Sequence, residues 1–186
     1  VVVTEVDAFC ALQAAMDGHS VMTIREAAPL GDLFITVTGN LHVIRQEHMN
    51  VMKDGTVLCN SGHFDNEIDV EALEAAATNK RRVRHYLDEY TLPSGTIIYL
   101  AGEGRLINLA AAEGHPSEVM SLSFCGQALA CEYLVKNKGK LPNEVITLPA
   151  HIDDDISKLQ LEAMDVRIDT LTPAQEKYLA SWQEGT

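Results

Sequence analysis

Glu5 closes the run Val1-Val2-Val3-Thr4-Glu5, and Asp7 follows it. A carboxylate at the tip of an apolar, β-branched strand can accept hydrogen bonds from two neighbouring hydroxyls. That is the pattern for an acid gripping both ribose hydroxyls of NAD, and its charge would repel the 2′-phosphate of NADP. For an isolated acid, helix capping or plain surface exposure is the alternative. The glycine fingerprint that precedes such an acid by ~20 residues does not fall within the chain. Its one GxG, Gly102-Glu103-Gly104, meets Ile107 where the motif needs glycine, so it reads as a turn.

Seven histidines and four cysteines raise the question of a metal. No two histidines stand at HxH or HExxH spacing, and no cysteine is near enough to complete a zinc set, so no metal site is expected. His63 and His115 each follow a glycine in a loop, where a rigid sheet could hold an imidazole against a substrate or cofactor. Cys10, Cys59, Cys125 and Cys131 form no CxxC and read as reduced thiols of a cytoplasmic protein.

The elements that must position these residues alternate. Residues 1–7 read as a buried parallel strand. A helix follows with Asp7 as N-cap, with Phe9, Leu12, Gln13 and Met16 on one face and Gly18 as its stop. Residues 19–24 read as a strand and 25–32 as a turn. Residues 33–38 are a second β-branched run ended by Gly39-Asn40. Then come a helix over 43–52 with Met49 and Met52 inward, a strand over 56–60, and a helix over 70–78 with Ala72, Leu73 and Ala76 inward. Strands apolar on both faces and separated by helices predict a doubly wound parallel α/β sheet. Residues 82–91 and 96–101 read as a hairpin at its edge. Beyond Gly104 the pattern turns helical: a long helix from N-cap Ser117, another over 148–163 with Asp153-Asp154-Asp155 near its start, and a last one capped by Thr172 with Pro173 in its first turn.

In an open parallel sheet, ligands bind beyond the carboxyl ends of the strands. Four segments qualify: 5–7, 38–40, 60–65 and 105–115. Composition narrows the partner. Fourteen Lys and Arg against 27 Asp and Glu give a net charge of −13, which leaves little with which to build a nucleic-acid face. No run reaches the ~18 apolar residues of a membrane span.

Several blocks recur in order and resemble the S-adenosyl-L-homocysteine hydrolase family. They are Val3-Thr4-Glu5-Val6-Asp7 with Ala11-Leu12-Gln13-Ala14-Ala15-Met16-Asp17-Gly18, then Thr38-Gly39-Asn40, then Cys59-Asn60-Ser61-Gly62-His63-Phe64-Asp65-Asn66-Glu67-Ile68-Asp69. Gly104-Arg105-Leu106-Ile107-Asn108-Leu109 and Gly114-His115-Pro116-Ser117-Glu118-Val119-Met120-Ser121 continue the series, and Leu171-Thr172-Pro173-Ala174-Gln175 closes it.

The resemblance implies reversible cleavage of S-adenosyl-L-homocysteine to adenosine and homocysteine with tightly held NAD as internal oxidant. Oxidation of the ribose 3′-hydroxyl acidifies the neighbouring C4′ proton. Homocysteine then leaves by β-elimination, water adds, and the ketone is reduced back. The same resemblance implies that Glu5 binds the adenosine ribose of NAD and that Cys10 lies near its adenine. It implies that Thr38 and Asn40 contact the cofactor, as do Ser61, Gly62 and His63 at its nicotinamide end. His63 also lies near the reacting sugar, as the catalytic candidate. Asn108 bonds the nicotinamide amide, and His115 and Met120 fall on the substrate side. Ser61 stands where Ile is common, and Glu113 where Met is common.

Residues 1–113 thus read as a partial NAD-binding Rossmann domain that lacks its first strand and glycine loop. Residues 114–164 read as a hinge and helices returning to a substrate domain, and 165–186 as a C-terminal segment. The chain is expected to be a piece of a longer enzyme, inactive without an N-terminal substrate half and forming a homo-oligomer, a tetramer in the family. A non-catalytic nucleotide-binding or oligomerisation module is the other reading.

Overall fold

The structure, a computed structural model, describes residues 1–182. The chain divides into two compact units, Val1–Gly114 and a second that begins at His115. In the first unit the order is β1 (Val2–Val3), α1 (Ala8–Met16), β2 (Ser20–Val21), α2 (Ile24–Ala27), β3 (Leu33–Thr36), α3 (Gln46–Met49) and β4 (Thr56–Asn60). Then follow α4 (Val70–Ala76), β5 (Asn79–Arg84), β6 (Leu87–Thr91), β7 (Ile97–Ala101), one 3₁₀ turn (Gly102–Gly104) and α5 (Ile107–Ala110).

The α/β class stands, but the main sheet is mixed rather than all parallel. Its order is β3-β4-β7-β6-β5. β3, β4 and β7 are parallel, whereas β6 and β5 run antiparallel beside β7. The reason is the short connections: Leu92-Pro93-Ser94-Gly95 between β6 and β7 is too short for a parallel crossover, which needs a dozen residues or more. The expected single strand over 82–91 is two strands. It breaks at His85-Tyr86, where Tyr86 takes φ +60° and the ladder shifts register between Arg82 and Arg84.

The largest correction concerns the start of the chain. Residues 1–7 form only the two-residue β1, parallel to β2 in a separate small sheet. Val1 and Val6 are exposed, and so are Phe9, Leu12 and Met16 on α1. The apolar run is strand-like, but among the described residues it pairs only with β2, and Val1 and Val2 remain uncovered. Local signals held better. The Asp7 carboxylate caps α1, accepting from the Cys10 amide at 2.9 Å. Gly18 at φ +86° ends that helix. α2 (Ile24–Ala27) occupies the end of the strand expected over 19–24 and the start of the turn expected over 25–32, because Thr23 and Glu26 form a reciprocal capping box.

The core lies under the middle of the sheet. Leu58, Ile98 and Leu100 from β4 and β7 pack with Ile44, Met49, Ile68, Leu73 and Tyr90, all essentially inaccessible. β6 also buries two acids, Asp88 and Glu89. Each meets an arginine of β5 through two hydrogen bonds: Arg82 to Asp88 at 2.8 and 3.1 Å, Arg81 to Glu89 at 2.6 and 2.9 Å. These bonds hold both carboxyls below the usual carboxylate range.

In the second unit, α6 (Ser117–Lys136) and α7 (Ala150–Ala163) pack on each other, and α8 (Pro173–Leu179) follows. Ser117 is the first helical residue of α6, not its cap; Pro116 holds the cap position. Thr172 caps α8 as read, with Gln175 completing a capping box. Among the described residues no helix is long and apolar enough to cross a membrane.

Two consequences can be measured on the folded chain. Leu100→Ala removes a fully buried side chain from the strand that joins the parallel and antiparallel halves, and it is expected to cost about 2–5 kcal/mol in urea denaturation. His48 is 3 % exposed and its Nδ1 accepts from the Arg45 amide at 3.1 Å. Burial, with Arg45 adding to it, lowers its pKa. The unfolded chain, with histidine near its ordinary value of about 6.5, therefore takes up the proton first as pH falls. Stability contributed by neutral His48 is complete above that value and is lost on acidification toward the lower folded value. Denaturation midpoints across that window are expected to fall less steeply for His48→Gln than for the unsubstituted chain.

Candidate cofactor site at the strand ends

Parallel pairing aligns the carboxyl ends of the central strands. Thr36 at the end of β3 lies opposite Asn60 at the end of β4. Asn60 is bridged in parallel to Leu106, which leads into α5. Segments 37–40, 61–65 and 106–108 thus leave the sheet at one end, where α/β sheets bind ligands.

Asn60 ties these exits together. It is fully buried, and its side chain makes four hydrogen bonds. Nδ2 donates to the carbonyls of Phe64 at 2.7 Å and Gly104 at 2.9 Å. Oδ1 accepts from the Gly62 amide at 2.6 Å and the Thr36 hydroxyl at 3.2 Å. The Ser61 amide adds a bond to the Thr36 carbonyl at 2.7 Å. Gly104 is needed in this arrangement: its φ is +80°, and a Cβ there would press on Val70.

Glu67 performs a similar task for the first loop. Its buried carboxylate accepts from the Thr38 amide at 2.9 Å, the Thr38 hydroxyl at 2.8 Å and the Gly39 amide at 2.7 Å. Burial would raise its pKa, but the hydrogen bonds from Thr38 and Gly39 prevail and lower it. Neither Asn60 nor Glu67 was singled out from sequence. The available signal was slight: a Glu immediately before the apolar Ile68, where a solvent-facing acid would be out of place.

The predicted residues fall as follows. Glu5 lies just past β1, exposed, with Oε1 accepting from the amides of Val6 at 2.7 Å and Asp7 at 3.0 Å. Those two bonds, Asp7 first, lower its pKa. Cys10 is exposed in the first turn of α1, and the Asp7 carboxylate raises its thiol pKa. Thr38 is pinned by Glu67, and Asn40 is exposed, its Oδ1 accepting from the Leu41 amide at 2.8 Å. Ser61 and His63 are exposed and Gly62 is buried. The His63 ring meets the edge of Phe64 at 4.7 Å between centroids. Asn108, on α5, carries a buried Oδ1 with no hydrogen-bond partner among the described residues. His115 and Met120 belong to the second unit, His115 exposed and Met120 half-buried. Among the described residues, no three His, Cys, Asp or Glu stand together as a metal set.

A groove of about 530 Å³ separates the two sheets of this unit. Residues 1–4 line one side and residues 33–38 the other, with Ile24, Ala27 and Leu30 among the rest.

This arrangement has close relatives. A family model described as "S-adenosyl-L-homocysteine hydrolase, NAD binding domain" matches residues 1–114. The whole chain is 60 % identical to the adenosylhomocysteinase of Gloeothece citriformis, covering 43 % of that protein. It is 59 % identical to that of Thermosynechococcus vestitus, again 43 % of the relative, and 54 % identical to that of Saccharolobus solfataricus, 45 % of it. The chain therefore spans less than half the length of the curated relatives it matches. With a strand-end site of this build and a family match over more than half its length, the chain belongs to the S-adenosyl-L-homocysteine hydrolase family, and its first unit is that family's NAD-binding domain.

Proposed function

We propose that this chain binds NAD at the strand ends of its first unit and serves an enzyme that reversibly hydrolyses S-adenosyl-L-homocysteine to adenosine and L-homocysteine. The observation that carries the reading is the Asn108 oxygen, a buried acceptor with no partner among the described residues. Leaving such a group unpaired is costly, and a carboxamide N–H of the nicotinamide is a donor of the right kind. NAD, when bound, supplies the hydride acceptor for oxidation of the substrate sugar.

The residues of this chain then bind and orient. Glu5 has Oε1 committed to its own backbone, which leaves Oε2 to accept from the adenosine ribose of NAD. Cys10, in the turn that follows, lies toward the adenine. Thr38 and Asn40 flank the cofactor on one loop; Ser61, Gly62 and His63 flank it on the next. The exposed imidazole of His63 offers one donor and one acceptor toward the reacting sugar. His115 and Met120 belong to the substrate side, and the remaining substrate contacts come from sequence outside this chain.

The groove between residues 1–4 and 33–38 is suited to an extended segment. A strand laid between β1 and β3 would unite the two sheets into one. The free thiols of all four cysteines agree with a reducing compartment such as the cytoplasm. The assembled enzyme is a homo-oligomer in this reading.

The test is a segment exchange. The matched portion of the Gloeothece citriformis relative is replaced by this chain, and adenosine and homocysteine formation are followed. The chimera is expected to turn over and the isolated 186-residue chain is not. A folded, inactive chimera, or turnover by the isolated chain, would overturn the reading. In the same chimera, Asn108→Ala removes one neutral hydrogen bond and is expected to weaken NAD binding roughly 3- to 10-fold by calorimetry.

A further inference from the structure

We infer that Glu67 is the positioning residue of the cofactor face: its buried carboxylate turns the carbonyls of Val37 and Thr38 outward and fixes the loop at Gly62 against the loop at Gly39. The inference rests on the NAD reading above and adds a residue that neither the sequence motifs nor that reading assigns.

Three observations carry it. First, the donors to Glu67 are consecutive in the chain: the Thr38 amide, the Thr38 hydroxyl and the Gly39 amide, at 2.7–2.9 Å. In a trans peptide the N–H and the preceding C=O point in opposite directions, and no peptide bond among the described residues is cis. Drawing the amides of Thr38 and Gly39 inward therefore sends the carbonyls of Val37 and Thr38 away from the carboxylate. The loop offers its ligand acceptors, not donors. Asn108 contributes another acceptor oxygen at the same end of the sheet. Such a face suits the hydroxyls and carboxamide of a nicotinamide riboside and does not suit a phosphate, which seeks N–H donors.

Second, Glu67 is inaccessible and no Lys, Arg or His lies within salt-bridge distance of it among the described residues. A buried carboxylate without a cation is held by its hydrogen bonds alone. That is a costly group to keep where an apolar residue would pack.

Third, the carboxylate fills the space a side chain at Gly62 would need. A Cβ on Gly62 would overlap Glu67 Oε1 and come within 2.7 Å of its carboxyl carbon. The Gly62 amide is meanwhile held by Asn60 at 2.6 Å. Glu67 thus bonds one cofactor loop and sets the position of the other.

The test uses the chimera described above, free of NAD and then loaded. Glu67→Gln keeps the shape and one acceptor oxygen, but it sets an NH2 against either the Thr38 donors or the Gly39 amide, which Oε2 and Oε1 now accept separately. Hydrogen exchange read by mass spectrometry is expected to rise at least 10-fold for the amides of residues 38 and 39. NAD affinity is expected to drop at least 10-fold, with kcat for bound NAD changed less than its Kd. Gly62→Ala, which displaces the carboxylate instead of altering it, is expected to produce both changes and stands in should Glu67→Gln fail to fold. Thr56→Val is the control, a buried polar residue at the opposite end of β4. It is expected to lower Tm while leaving exchange at 38–39 and NAD affinity within 2-fold. Unchanged exchange at 38–39 in the Glu67 variant, or faster exchange with undiminished NAD affinity, overturns the inference. An unsubstituted chimera that binds no NAD overturns the functional reading instead, and the exchange measurement still decides whether Glu67 holds the loop.

Discussion

The site depends on one amide. Asn60 ends β4 with its side chain buried and all four of its hydrogen bonds inside the protein. Parallel strands place their carboxyl ends together, but they leave the loops beyond them with unpaired backbone groups. Each such group, if buried, costs on the order of 1–3 kcal/mol. Asn60 satisfies groups from three of those exits at once: Thr36 from β3, Gly62 and Phe64 from its own loop, Gly104 from the turn after β7. An aspartate could not donate to the two carbonyls, and an alanine would strand every partner. A rigid floor of this kind is what allows the exposed Ser61 and His63 above it to sit on a loop without wandering, as Glu67 does for the loop of Thr38 and Gly39.

The antiparallel half of the sheet solves a different problem. β5 is an edge strand, and edges invite further pairing. This one carries Lys80, Arg81, Arg82 and Arg84, and a charged edge resists addition of another strand. The same arginines reach across to Asp88 and Glu89, so the acids buried on β6 are neutralised by the residues that guard the edge. Arg82 also reaches Glu103 in the turn after β7, where Arg105 joins it at 3.2 Å from Glu103. Glu103 takes φ +58° between two glycines that are themselves in the left-handed region. The ion pairs therefore brace a strained turn whose Gly104 carbonyl is one of the acceptors for Asn60.

How much of this was legible from sequence follows from the range of each interaction. Caps are local: Asp7, Thr172 and Pro173 could be read because their partners lie within three or four residues. The α/β alternation, the burial of Met49, Met52 and Leu73, and the strand 56–60 were legible in the pattern, although of the helix expected over 43–52 only Gln46–Met49 is helical and Met52 lies beyond it. The capping box of Thr23 and Glu26 is equally local and sets α2 where composition alone suggests a turn. The residues that shape the site are of another kind. Glu67 meets Thr38 across 29 positions, and Asn60 meets Gly104 across 44. Nothing local distinguishes such a Glu or Asn from a capping or surface residue. The family motifs included both without saying which atoms they hold.

The misreading of residues 1–7 is of the opposite sort, since here the sequence described an environment that this chain does not supply. Val1-Val2-Val3 has the composition of a strand buried on both faces. In the structure Val1 is 93 % exposed and Val2 is 43 % exposed. β3 shows the same mismatch: Leu33 and Ile35 are each more than half exposed although the strand pairs in register with β4 on its other side. Both apolar strands thus stay open on the sides that border the groove, while their paired sides are satisfied. Residues of both strands line the same groove, so the two apolar runs border one cavity. The pattern at residues 1–3 and 33–36 therefore describes a burial that the two sheets, as they pair here, leave unmet.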